Sequence, residues 1–319
     1  MTKLSFISEC TKIIAQMENK EIVTKKGDFY KKSTITNISK VFFYNLPKYQ
    51  QKLGKEILCE NINYQFFEDF RLYLLKENYA KNSISSIISV VKSFTKKLYR
   101  KGITTFDGAD VSTPYERTTA IYTTIEELSV LYHLDLSKTP GQERVRDVYV
   151  CQCFLGLRIK DMFNFMANFM KMARKIDGKY YFKIRTQKTN ETVVIPCSIM
   201  ITKIAERRKF NFGKPFSEQY YRRELKQIYK KANLDKSILY NRTEGGELQE
   251  KKIMRSSILG THTARRSFAT NTYLAGINPL DIMKITGHKS FFTFMNYIRC
   301  ENLEVALKLS EHEFFNTAL

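Results

Sequence analysis

No apolar run in this sequence approaches the roughly eighteen residues a membrane-spanning helix needs. The opening stretch, residues 1–16, is interrupted by Lys3, Glu9 and Lys12 and so lacks a signal-peptide core. A cytoplasmic protein without a membrane partner is the expectation. Histidine is scarce, with four in 319 residues, and the six cysteines (Cys10, Cys59, Cys151, Cys153, Cys197, Cys300) show no paired spacing of the zinc-site kind. They read as reduced core thiols, Cys151 and Cys153 as packing within a helix-like apolar segment, and no metal is expected. Neither a Walker loop nor a Gly-x-Gly-x-x-Gly turn occurs, so no nucleotide cofactor is expected either. Acidic residues are under-represented, 32 against 53 lysines and arginines, for a net charge of +21 and a pI near 9.6. That balance favours a polyanionic partner, and without membrane features nucleic acid is the better choice.

The length suffices for two domains, each burying its own core without staples. In the first hundred residues apolar positions recur with helical period at Ile84, Ile87, Ile88, Val91 and Leu98, a helix that Asn82 could start and Gly102 end. Its other face carries Ser85, Ser89, Lys92, Lys96 and Arg100, hydroxyls and cations suited to phosphate. Lys92, Lys96 and Arg100 are the candidate DNA contacts, with a solvated face as the plain alternative. Ile35, Ile38 and Phe42 suggest a second helix, ended or kinked at Pro47, and Phe66, Phe70 and Leu74 a third. Residues 1–106 thus read as a helical domain, with little before residue 30 to form a separate module. Residues 107–120 include DGADVSTPYER, without periodicity, and read as a linker.

Residues 121–319 read as a mixed α+β domain. Thr124 and Glu127 form a capping-box pattern, and a helix spans about Glu143 to Leu155 before Gly156. Asp177-Gly178 is a hairpin turn signal, followed by alternation at Tyr180, Phe182 and Ile184, a polar turn near Thr189 to Glu191, and Val193-Val194-Ile195 closed by Pro196. This is a small antiparallel sheet in a mainly α chain. Helical patterning is expected from Pro215 to the end, broken by a Gly245-Gly246 loop and by the capped start Asn278-Pro279.

Gly156-Leu-Arg-Ile-Lys-Asp161 places Arg158 just past a helix stop, with Asp161 three residues on to brace it. Lys188 follows at the end of the hairpin strand, then His262-Thr-Ala-Arg265, whose His262 and Arg265 share a helix face. Gly287-His288 comes next, and nine positions later Tyr297. In this order and spacing the chain resembles the tyrosine recombinase (phage integrase) family, of integrase or invertase type. Residues 124–299 resemble its catalytic domain and the first hundred its SAM-like core-binding domain. The resemblance implies a two-domain clamp on double-stranded DNA and a homotetramer on synapsed DNA. It also implies a site-specific recombinase, acting in integration, excision or inversion of a mobile element, with possible accessory DNA-bending or directionality proteins.

The chemistry asks for the same residue types. A tyrosine attacking a DNA phosphate builds extra negative charge on the non-bridging oxygens, which Arg158 and Arg265 can clamp and to which His288 can donate. A phenol with a pKa of about 10 needs a base or a cationic pocket, and His262 is the candidate base. The leaving 5′ oxygen needs a proton, and Lys188 on the hairpin can supply it, with Lys183 close by as the alternative. Phosphodiester is exchanged for a 3′-phosphotyrosyl ester of similar energy, so the reaction needs no cofactor.

Singly, Arg158 could be a surface ion pair, Lys188 a solvated charge and Tyr297 a core aromatic, one of 19 tyrosines. Two of the four histidines occupy motif positions, while His133 and His312 lack such context and are expected at the surface. A type IB topoisomerase uses the same side chains, but the Gly-His-Lys-Ser segment leading to Tyr297 and the helical first domain resemble recombinases. A DNA-binding regulator that kept the fold without cutting is disfavoured by the complete set of six. The apolar stretch Leu303, Val305, Ala306, Leu307 and Leu309 is expected to pack in trans on another copy.

Overall fold

A computed structural model describes residues 3–311 and 313–317. His312 lies outside the described residues. The chain divides into two compact units, Met1–Thr118 with Tyr240–Lys251, and Thr119–Leu239 with Lys252–Leu319.

The first unit is helical: α1 (Phe6–Glu18), α2 (Lys32–Lys40), α3 (Leu46–Leu53), α4 (Tyr64–Lys76) and α5 (Lys81–Tyr99). Helix α1, which the sequence reading left unassigned, buries Phe6, Cys10, Ile13, Ile14 and Met17 in the core. Helix α5 buries Ile84, Ile87, Ile88, Val91, Phe94 and Leu98 along one face. Gly102 ends it as expected: at φ +70 the chain reverses, and Ile103 and Gly102 donate to the Leu98 and Tyr99 carbonyls. Asn82 does not cap it. The N-cap is Ala80, and the Asn82 amide instead pairs with both backbone groups of Glu116, at 2.8 and 2.9 Å. Pro47 does not end its helix either. It sits in the first turn of α3, and upstream Val41–Asn45 forms a π turn in which the Leu46 N–H reaches back to the Val41 carbonyl. Proline supplies no N–H to keep the α register there.

The expected linker is strapped along α5. Ser85 bonds the Pro114 carbonyl, Lys92 donates to the carbonyls of Ala109 and Val111 at 3.0 and 2.7 Å, and Val111 is buried.

The second unit begins with α6 (Ile125–His133), closed by the Thr124–Glu127 capping box. Buried Arg146, ion-paired to Asp147, donates to the Leu131, Tyr132 and Leu134 carbonyls at the end of α6. Helix α7 (Pro140–Leu155) runs through the core and stops at Gly156, and α8 (Ile159–Met172) follows at once. The sheet has three antiparallel strands, β1 (Ala173–Ile176), β2 (Lys179–Arg185) and β3 (Thr192–Pro196), with the expected Asp177-Gly178 turn joining β1 to β2. Phe182 pairs with Ile195 and Ile184 with Val193, all four buried, while Tyr180 at the strand start is exposed.

After α9 (Ile199–Arg207) and α10 (Glu218–Lys231) the expected helical pattern fails. Residues 237–254 form a hairpin, β4 (Ser237–Glu244) and β5 (Glu247–Met254), with Gly245 and Gly246 at φ 58 and 91 in the two-residue turn. Two successive positive φ angles are what such a turn demands, and only glycine adopts them without strain. The hairpin tip belongs to the first unit, so the units are not contiguous in sequence. Helices α11 (Thr263–Leu274), α12 (Pro279–Thr286), α13 (Phe291–Met295) and α14 (Asn302–Ser310) complete the chain. Asn278 caps α12 as expected, its side chain accepting from Leu280 N–H. All six cysteines are free thiols, four of them buried. Among the described residues no helix is long and apolar enough to cross a membrane.

Gly156 has φ +64, and a Cβ there would lie 2.5 Å from a Phe268 ring carbon. Gly156→Ala is therefore expected to destabilise the second unit by about 2 kcal/mol or more, from backbone strain plus overpacking. Gly178→Ala, at φ +77 with nothing within 4 Å, should cost about 1 kcal/mol. Denaturant melting of the two variants against wild type measures the difference.

Candidate active site

The site is built where α7 ends, α8 and α11 begin, and the segment after α12 returns. Gly156 lets α7 stop against Phe268 of α11, with its carbonyl turned to Arg265, which donates to it at 2.8 Å. A second Arg265 nitrogen donates to the Thr286 carbonyl at 2.6 Å. Arg265 is 1 % exposed, yet these acceptors are neutral carbonyls, and among the described residues no carboxylate forms an ion pair with it, Asp161 acting on it only through space. Burial and the neighbouring charge of Arg158 both push its pKa down. Arg158 is the N-cap residue of α8. Its Nη1 and the Arg265 Nε are buried nitrogens with no hydrogen-bond partner.

His288 stands beside them. The Thr286 hydroxyl donates to the Ile282 carbonyl at 2.8 Å, which leaves its oxygen to accept from His288 Nδ1 at 2.7 Å. Nε2, 3.1 Å from Arg265 Nη2, is then the unprotonated acceptor. The His288 pKa is pushed down to about 3 by burial, then by Arg265 and Arg158. The phosphate donor expected of His288 is thus committed to Thr286. Burial first, and the two guanidiniums after it, keep the ring neutral, so only one of its nitrogens carries a proton.

His262 occupies the N-cap position of α11 without capping it. It is solvent-exposed, and partial desolvation followed by Arg266, Arg265, Arg158 and Lys188 lowers its pKa, which keeps the ring neutral and able to accept a proton. Half-buried Tyr297 lies just past α13. Its ring centroid is 4.7 Å from His288, 6.4 Å from His262 and 5.6 Å from the Arg265 guanidinium carbon. Thr270, which the motif does not include, accepts from Arg299 N–H at 3.0 Å and donates to the Tyr297 carbonyl at 3.2 Å. It holds the tyrosine segment to α11.

Lys188 lies in the turn between β2 and β3, beyond the strand end where the sequence reading placed it, and is exposed. The turn is tied internally by Thr186, Thr189, Asn190 and Glu191. Buried Asp161 accepts from Gln187 N–H at 2.8 Å, so the carboxylate expected to brace local structure braces this turn. From the other side Lys289 pairs with Glu191 at 2.5 Å. Lys183 sits exposed on β2, opposite Val194. Arg158, Arg265, His262, His288, Lys188 and Tyr297 are therefore brought together. Lys96 and Arg100 are exposed on the first unit, whereas Lys92 is engaged by the strap. His133 is exposed. Among the described residues no group of three His, Cys, Asp or Glu side chains could hold a metal ion.

Residues 5–111 match the family model described as phage integrase SAM-like domain. No curated protein matches the chain. Among solved structures, the Tn1549 transposon integrase in complex with circular intermediate DNA is 14 % identical with a TM-score of 0.64, over 97 % of this chain and 100 % of that one. The XerH site-specific recombinase bound to palindromic difH substrate is 15 % identical, TM-score 0.60, over 96 % and 85 %. A lambda integrase tetramer bound to a Holliday junction is 14 % identical, TM-score 0.59, over 93 % and 78 %.

The His288 assignment has a direct test. In 15N-resolved NMR its ring is expected to remain a neutral Nδ1–H tautomer from pH 8 down to about pH 4. A charged His288 at pH 6 would remove the arrangement described.

Proposed function

From the tyrosine-recombinase fold that the chain adopts, we propose that it is a site-specific recombinase that cuts and rejoins double-stranded DNA through a 3′-phosphotyrosyl bond to Tyr297. One observation carries this reading: Arg158 and Arg265 each hold a buried N–H group without an acceptor, and among the described residues no carboxylate forms an ion pair with either guanidinium. A phosphodiester supplies both the acceptors and the charge.

In the reaction the Tyr297 oxygen bonds to phosphorus, the 5′ oxygen leaves, and the phosphorus charge is held by Arg158 and Arg265. His262 takes the phenolic proton. His288 acts by accepting from Arg265, which fixes that guanidinium. Lys188 protonates the departing oxygen. The reverse sequence with a new 5′ hydroxyl rejoins the strand, so the bond energy is kept without a cofactor. Exchange between duplexes calls for a homotetramer. Helix α14 suits it: none of its residues is buried, and Leu303, Leu307 and Leu309 are exposed. Integration, excision and inversion are all within this chemistry, and accessory DNA-bending or directionality proteins would choose among them.

Tyr297→Phe is expected to abolish the denaturation-resistant adduct on duplexes taken from DNA flanking the coding region, while binding stays close to wild type. An adduct formed by that variant would move the nucleophile to another tyrosine. Lys188→Ala is expected to slow cleavage severely on ordinary DNA and to be largely rescued when the bridging 5′ oxygen is replaced by sulfur. A thiolate leaves without a proton. Arg158→Ala and Arg265→Ala should be rescued far less. Slow cleavage of both substrates by Lys188→Ala would give this lysine a binding or folding role.

A further inference from the structure

Phe43 and Tyr44 are consecutive large aromatics in the first unit, 62 % and 45 % exposed. They are displayed by the π turn Val41–Asn45, and their neighbours are fixed inward. Phe42 is fully buried, its ring 4.6 Å from Phe94, and Asn45 is buried with its amide donating to the Tyr79 hydroxyl at 3.0 Å. The inward anchors hold the outward pair in place, and π segments of this kind occur mostly where a helix has work beyond packing. Lys48 lies over the Tyr44 ring, 4.3 Å from its centroid, and donates to its hydroxyl at 2.8 Å.

The surrounding charge is mostly positive. Residues 31–55 contain six lysines (Lys31, Lys32, Lys40, Lys48, Lys52, Lys55) and no aspartate or glutamate. Lys40, Lys48 and Lys52 flank the turn and are all exposed. Glu77 is the acid that acts on Tyr44, against both Lys40 and Lys48. Such a surface repels a second copy of itself and suits a polyanion that also offers flat apolar faces.

We propose that Phe43 and Tyr44 form an aromatic wedge that contacts the bases of duplex DNA, with Lys40, Lys48 and Lys52 on the flanking phosphates. The proposal rests on the DNA-processing reading above and adds a base-contacting element on a helix other than α5. Aromatic side chains pressed against a groove make apolar contact with thymine methyl groups or partly unstack a base step, and either mode discriminates sequence. The lysines position the duplex without reading it.

The test uses the full chain and a duplex selected from a randomised library by the wild-type protein, with a scrambled duplex as reference. Lys40→Ala with Lys52→Ala is expected to weaken both duplexes alike and to shallow the slope of log affinity against log salt by about two. Phe43→Ala with Tyr44→Ala should keep the slope, lose about tenfold or more on the selected duplex, and lose little on the scrambled one. Phe43→Tyr with Tyr44→Phe keeps both rings and should bind as wild type, which separates ring chemistry from loss of fold. Wild-type affinity and preference in the double alanine variant would overturn the wedge. If that variant also failed to form tetramers, the pair would be a contact between copies. Adduct formation at Tyr297 tests the recombinase reading separately: a protein that binds as described but forms no adduct would sink that reading and leave the wedge standing.

Discussion

A buried guanidinium, Arg265, held by backbone carbonyls in place of carboxylates and set beside the half-buried Arg158, is the constraint on which the second unit depends. A buried charge without a counter-charge costs several kcal/mol, and Arg265 is 1 % exposed with Gly156 and Thr286 carbonyls as its acceptors. Carbonyl dipoles offset part of that cost and fix the fork, but they leave the net charge unspent. The destabilisation is stored for an anion. Burial first, and the neighbouring cations after it, move the pKa values of His262, Arg265 and His288 toward the neutral form. The site accumulates cations up to the point where further protonation is refused.

Much of the surrounding architecture serves that fork. Gly156 takes a left-handed conformation to end α7, a side chain there would also strike Phe268, and its carbonyl accepts from Arg265. Thr286 does double service, its carbonyl on Arg265 and its hydroxyl on His288. His288 is left with a basic nitrogen facing a guanidinium. Tyr297 is then delivered by α13 to a place bounded by both histidines and Arg265, with Thr270 fixing its backbone.

The sequence singled out a candidate catalytic set because the chemistry admits few residue types and their order is distinctive. It could not reveal which donor of His288 is spent, since that depends on Thr286 using its own proton on the Ile282 carbonyl. Periodicity found α5 and the β2–β3 pair, whose buried residues alternate cleanly. It missed α1, and it read the β4–β5 segment as helical although Gly245-Gly246 is a two-residue turn signal. The β5 residues are mostly exposed, so no apolar alternation marked the strand. Asn82 and Lys92 were misleading for a shared reason: polar side chains of α5 are used on backbone groups of the strap, a demand visible only after the chain has folded back.

The turn carrying Lys188 differs in kind from the arginine fork. Its backbone is tied to the α8 start by a charged acceptor, Asp161 on Gln187 N–H, a bond worth about 1.5–3 kcal/mol. Its other tie, Lys289 to Glu191, joins side chains that are 66 % and 43 % exposed and contributes at most about 1 kcal/mol. Asp161 therefore sets where the turn sits, and it lies one helical turn from Arg158, so Lys188, proposed as the proton donor, and the proposed phosphate clamp share one reference frame. Lys289 follows His288 directly, which couples the turn weakly to the segment that ends at Tyr297. A strong tie to the clamp and a weak one to the nucleophile allow the lysine side chain to swing while its base remains in register with the phosphate. The proposed role of Lys188, as a general acid needed only when the 5′ oxygen departs, calls for that combination.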